Sequence, residues 1–204
     1  MRQVPKTAAP HQRVRYGLYV ERQLRVAGFA EWAAMVLAAT MLVRERARSW
    51  EDEDALAYSA SGDRDRSEFD LDTATGNGRA QFAGRSKTAN KEKPYILVFP
   101  DGVVWYTNAT QADLVPRYTL LSERLRTFMP EDATARALAD EIDAGIVAYK
   151  AGVEVIGKAN LKLSLAAQQL AEVEDAFDAT MEKVFGLLAA HFESRAVAGS
   201  FFPA

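Results

Sequence analysis

The chain has 204 residues, of which 49% are hydrophobic and 26% charged, with a net charge of −3 and no cysteine. That is enough apolar material for one folded domain with appendages, and it excludes disulfides, thiol catalysis and thiolate metal sites. The charge is unevenly placed: residues 1–48 carry +6, 49–93 carry −3, 94–129 are neutral and 130–204 carry −6, so opposite ends can attract each other within a molecule or between neighbours.

Residues 1–11 read as a flexible basic arm, containing Pro5 and Pro10 and no acid. The stretch Met1–Arg15 lacks the apolar run and small-residue cleavage site of a secretory signal. The expected location is therefore the cytoplasm, or a virion. A helical domain is expected over 12–197, starting with a long helical pattern from about Gln12 to Arg48. In its first half Val14, Leu18 and Tyr19 stand against Arg15, Arg22 and Arg25. Its second half, Val26–Val43, is apolar nearly all round, with Gly28, Glu31 and Thr40 as interruptions. Eighteen such residues meet the minimum for a membrane span. Six of them are alanine, however, and Glu31 would cost roughly 2–3 kcal/mol near a helix centre. A helix buried in a bundle is favoured over a membrane helix.

From residue 51 to residue 93 the composition turns polar, beginning with Glu51, Asp52, Glu53 and Asp54, and Phe69, Leu71 and Phe82 are its sparse apolar anchors. It reads as an insertion that is disordered or ordered by a partner. Residues 94–108 read as a β-hairpin. Tyr95–Phe99 and Val103–Thr107 favour strands, and Pro100-Asp101-Gly102 supplies a turn between them. A lone hairpin is marginal in water, so it would pack on helices or pair with a partner, presenting Tyr95, Phe99, Trp105 and Tyr106. A short helix follows, with Pro116 near its first turn and Tyr118, Leu121, Leu125 and Phe128 on one face. It ends at Met129-Pro130, and Pro130 can open the next helix.

The strongest regularity lies between Leu138 and Leu188. One line, read every seventh residue, is Ile142, Tyr149, Ile156, Leu163, Leu170, Phe177 and Val184. Its companion is Leu138, Gly145, Gly152, Ala159, Ala166, Val173, Thr180 and Leu187. Large residues beside small ones describe a helix seam, closest where the column is Gly and Ala. Gly157 as a left-handed cap and Asn160 as a new N-cap would make an antiparallel helical hairpin. The unbroken seven-residue phase suits instead one coiled-coil helix of about 90 Å. Compact domains rarely carry helices that long, which tips the reading to the hairpin. The tail 198–204, with Phe201 and Phe202, reads as an apolar docking segment, in cis or in trans.

No chemical motif is complete. Asp63-x-Asp65-x-Ser67 starts like a calcium loop, but Glu68 stands where glycine is required and Ala74 where glutamate is. Gly78 to Ser86 is one residue too long for a phosphate loop and has Arg85 in place of lysine. Leu188 stands three before His191, so the Glu-x-x-His pair of di-iron bundles is absent. Glu172, Glu174, Asp175, Asp178 and Glu182 read as a solvated face. Asn108-Ala109-Thr110 matches a glycosylation sequon, but it reads as a turn into a helix.

The fold expected is mainly α: a bundle of long helices with a single β-hairpin insertion. The function expected is non-enzymatic assembly, with no cofactor and no metal, as a homo-oligomer or a subunit of a larger particle such as a phage neck or head-completion protein. The candidate interface residues are Tyr95, Phe99, Trp105, Tyr106, Tyr149, Ile156, Leu163, Leu170, Phe177, Phe201 and Phe202. Two alternatives stand beside it: a membrane-anchored accessory protein using 26–43, and a nucleic-acid-binding regulator using the basic N-terminal third. The basic residues there are spaced rather than clustered, which weighs against nucleic acid.

Overall fold

The computed structural model describes residues 8–203. Its elements are α1 (Pro10–Val26), α2 (Ala30–Ala83), a 3₁₀ turn (Ala89–Lys91), α3 (Lys93–Val98), α4 (Val104–Thr107), α5 (Gln111–Phe128), α6 (Ala133–His191) and α7 (Arg195–Gly199). The fold is mainly helical, with long helices packed together, and there is no strand among the described residues. Two compact units are present: unit 1 is Met1–Ala57 with Ala159–Ala204, and unit 2 is Tyr58–Lys158.

In unit 1, residues 1–7 of the expected arm lie outside the described residues. The rest of that arm is ordered: Ala8 is buried and Pro10 takes the first position of α1, where its missing N–H costs nothing. The long pattern expected from Gln12 to Arg48 is broken at Gly28. Gly28 has φ +87°, its N–H bonds to Arg25 O at 3.1 Å, and the Phe29 N–H reaches back to Leu24 O at 2.9 Å. This is a Schellman stop, which needs a residue at positive φ. The chain then reverses, and Gly17 of α1 lies against Thr40 of α2. A Cβ on Gly17 would stand 2.0 Å from Thr40 Oγ1 and 2.9 Å from Phe177 Cε2. The core comprises Val20 and Leu24 of α1, Val36 and Val43 of α2, and Phe177, Met181, Val184 and Leu188 of α6. Phe202 closes it, edge-on to Phe185 at 5.7 Å. The tail therefore docks in cis, although its last residue lies outside the described range. Buried Arg13 bridges Glu174 at 3.2 Å and Asp178 at 3.3 Å, so part of the acidic face is paired rather than solvated. Burial and Asp178 push the Tyr16 hydroxyl up to about 12.

In unit 2 two expectations are corrected. The polar insertion 51–93 is mostly helix, because α2 runs on to Ala83. Its inward row is small: Ala60, Ala74 and Gly78 are buried with Leu71, and they let α6 come close. A Cβ on Gly145 would stand 2.6 Å from Leu71 Cδ2, and one on Gly152 would stand 3.2 Å from the Arg64 Cα. The Gly column of α6 thus marks close approach. The β-hairpin does not form. The turn is present, with Gly102 at φ +77° and its N–H on Phe99 O at 3.1 Å, but both flanks are helical. Pro94 lies in the first turn of α3, where it favours helix. Ile96 and Phe99 then close i to i−4 bonds onto Glu92 and Tyr95. Strands would need a pairing edge, whereas helices satisfy their own backbone and still bury Phe99 and Tyr106 in the core.

The cap of α5 is Thr110, which accepts the Asp113 N–H at 3.3 Å. Pro116 lies inside that helix, and Tyr118, Leu121 and Leu125 are buried. Pro130 does not open α6. Asp132 caps it instead, accepting the N–H groups of Thr134 at 2.9 Å and Ala135 at 3.1 Å. From Ala133 to His191 α6 is one helix, so the helical hairpin at Gly157 is replaced by the continuous alternative.

Candidate functional site

The Schellman reversal sets two helix rows side by side in unit 1. On α1 the row Arg13, Gly17, Val20 and Leu24 is buried. The row His11, Arg15 and Leu18 points away from it by the helical period. On α2, Arg44, Arg48 and Glu51 repeat at the same spacing. Between them lies a groove of about 580 Å³, lined on one wall by His11, Arg15 and Leu18 and on the other by Arg44, Arg48 and Trp50. Among the described residues Glu51 is the one acidic residue that lines it.

A second cleft, of about 480 Å³, lies in unit 2 between Phe82, Tyr95, Phe128 and Met129. Its charged pair is closed: Arg85 grips Asp132 with both nitrogens, one at 3.0 Å. The guanidinium holds the Asp132 carboxyl below its usual range, helped by the α6 N–H groups that it caps. An acid so committed is a structural clamp rather than a proton donor.

Unit 2 also holds a polar cluster. Glu68 and Asp72 lie one turn apart on α2. Burial raises both, and Asp72 raises Glu68 further. The Tyr118 hydroxyl donates to Asp72, and its own pKa is driven up by burial and by that bond. Burial, with Glu68 close by, raises Tyr149 as well. Nearby, the Tyr106 hydroxyl donates to Val98 O at 2.9 Å and accepts from Arg124 at 2.8 Å. The Tyr118 and Tyr106 hydroxyls are satisfied buried groups, which fix which side chains meet across the core.

Most of the expected interface residues complete the chain's own cores. Phe99, Tyr106 and Tyr149 are buried in unit 2, with Tyr95 and Trp105 packed against them. Phe177 and Phe202 are buried in unit 1, with Phe201 packed on that core. Ile156, Leu163 and Leu170 are half-buried on α6. What sequence reasoning missed is the other side of that helix. Leu161, Val147 and Leu165 are 73%, 68% and 55% exposed. Their signal was the spacing: 147, 151, 154, 158, 161 and 165 step by four and three on one unbroken helix, a stripe distinct from the buried line.

No group of three or more His, Asp or Glu that could hold a metal ion occurs among the described residues. His11 lines the arginine groove, and His191 ends α6 with its ring edge-on to Phe29 at 5.1 Å. Among the described residues no helix is long and apolar enough to cross a membrane; the 26–43 run is divided by the stop at Gly28. No family model, curated protein or solved structure matches the chain.

Proposed function

We propose that the protein is a non-enzymatic assembly subunit that pairs with a second copy through the outer face of α6. The observation that carries this is the order of residues on the exposed stripe. Read in chain order it is Val147, Ala151, Glu154, Lys158, Leu161 and Leu165. Two antiparallel copies centred on residue 156 would set Val147 opposite Leu165, Ala151 beside Leu161, and Glu154 opposite Lys158. Each contact then occurs twice, as a two-fold interface requires. Within one chain Lys158 already reaches Glu154 at 2.6 Å, so pairing would exchange that contact across the two-fold at little cost in charge. With the hairpin gone, a place in a larger particle such as a phage neck or head-completion site rests on this face alone.

The test is light scattering at micromolar concentration, where twice the chain mass is expected. Leu161→Glu with Leu165→Glu should yield the single-chain mass with an unchanged helical spectrum, because both side chains are exposed. Glu154→Lys should weaken pairing, and Glu154→Lys with Lys158→Glu should restore it. A single-chain mass for the natural sequence, or no response to these changes, would overturn the proposal.

A further inference from the structure

Among the described residues most arginines elsewhere in the chain are engaged, with Arg22 and Arg136 the exceptions. Arg13 bridges Glu174 and Asp178, Arg85 holds Asp132, and Arg126 takes Asp140 and Asp143. Arg15, Arg44 and Arg48 differ: among the described residues none of the three forms an ion pair or side-chain hydrogen bond, although Glu45, Glu51 and Asp52 lie within a turn of the α2 pair. All three line the same groove. The tryptophans show the same contrast. Trp32 is stacked on Phe29 at 4.6 Å and Trp105 lies under Arg117 at 4.7 Å, whereas Trp50 lines the groove with no ring partner or overlying cation among the described residues.

We infer that this groove binds a single strand of nucleic acid, with Arg15, Arg44 and Arg48 on successive phosphates and Trp50 beneath a base. Guanidinium forks match phosphate oxygens in pairs and hold them through charge-assisted bonds. Arg44 and Arg48 are one turn apart, about 6 Å along the axis, a step comparable with the phosphate repeat of an extended strand. Arg15 faces them from α1. Charge on two walls suits a thin polyanion that can lie between them. A duplex keeps its bases stacked inside and would leave the Trp50 ring unused, whereas a single strand turns a base face outward for it. An acidic peptide offers the arginines carboxylates but gives Trp50 no planar partner.

This surface lies on α1 and α2 and does not involve the outer face of α6, so the two proposals fail separately. Labelled oligo(dT) of twelve nucleotides is titrated with the full chain by fluorescence anisotropy, with helicity checked by circular dichroism. Saturable binding is expected at 50 mM salt. The logarithm of affinity should fall with the logarithm of salt at a slope of about −2, as three single-strand phosphate contacts require. Arg44→Glu with Arg48→Glu should abolish binding, and Trp50→Ala should weaken it roughly tenfold. Leu161→Glu with Leu165→Glu should bind as the natural sequence does. The inference is overturned by no binding at 50 mM salt, by binding that survives the arginine reversals, or by equal retention of duplex DNA, polyglutamate or inorganic phosphate.

Discussion

Phe177 in unit 1 and Tyr118 in unit 2 are both fully buried, yet they are held by different forces. Around Phe177 are Val20, Leu24, Val36, Val184 and Leu188, and in the same core Phe185 and Phe202 meet edge to face. Phe177 itself is held by shape and by the apolar area it removes from water, while the Arg13 bridge to Glu174 and Asp178 lies beside it. Tyr118 sits among Leu114, Leu121 and Leu125 but commits its hydroxyl to Asp72, and Glu68 lies one turn away. That core adds matched polar partners to its apolar area, and it loses heavily when one partner goes. The two sites on this pair of long helices thus differ: at Phe177 the demand is for a side chain of the right volume, whereas at Tyr118 it is for a particular donor and acceptor.

Phe177→Ala breaks the first kind of core and should have the largest effect, a loss of about 3–5 kcal/mol. Denaturant unfolding measures it, and hydrogen exchange should place the lost protection in 8–57 and 159–203 before 58–158. Tyr118→Phe tests the second kind. It keeps the ring and removes the donor to a carboxylate, for a loss of about 1.5–3 kcal/mol at pH 7. The Asp72 pKa is raised in the folded state from its usual 3.8, so its contribution favours folding at low pH and is lost as pH rises through the raised value. The tyrosine bond opposes that rise. Removing it should steepen the loss of stability with rising pH, and the deficit of the variant should shrink as pH falls, in unfolding curves taken across that range. Gly157→Ala is the small control. Gly157 is exposed, and a Cβ there would meet nothing within 4 Å. A gain of about 0.5–1 kcal/mol in denaturant unfolding is expected from helix propensity alone; a loss would mean that the helix is interrupted there after all.

The line from Ile142 to Val184 was legible because its residues are large and apolar and repeat at seven. The matching row on α2, Val43, Ala57, Leu71 and Gly78, keeps the seven-residue register but skips Trp50 and Arg64 and is diluted by small side chains. Around it the Ser, Asp, Thr and Gly of 58–78 have poor intrinsic helix preference. Packing against α6 overrides that preference, and composition alone cannot reveal it. The segment 94–108 misled for the opposite reason: its β-branched and aromatic residues prefer strands, but strand preference is chiefly fit to a sheet, and no sheet exists among the described residues. The arginine groove was half legible. The basic residues of α1 and α2 were visible as separate charges, but the reversal at Gly28 is what brings Arg15 to the side of Arg44 and Arg48.

The division of the chain also sets an order of events during synthesis. Unit 2 is one uninterrupted stretch, Tyr58–Lys158, whereas unit 1 needs Ala159–Ala204 to join Met1–Ala57. As the chain leaves the ribosome, the α1–α2 turn emerges early but must wait for Phe177 and Phe202 before its apolar row is covered. Unit 2 can close its core in the meantime. A chain cut short soon after Lys158 would hold the whole second unit and leave the apolar row of the first uncovered, a target for chaperones that recognise bare apolar helices.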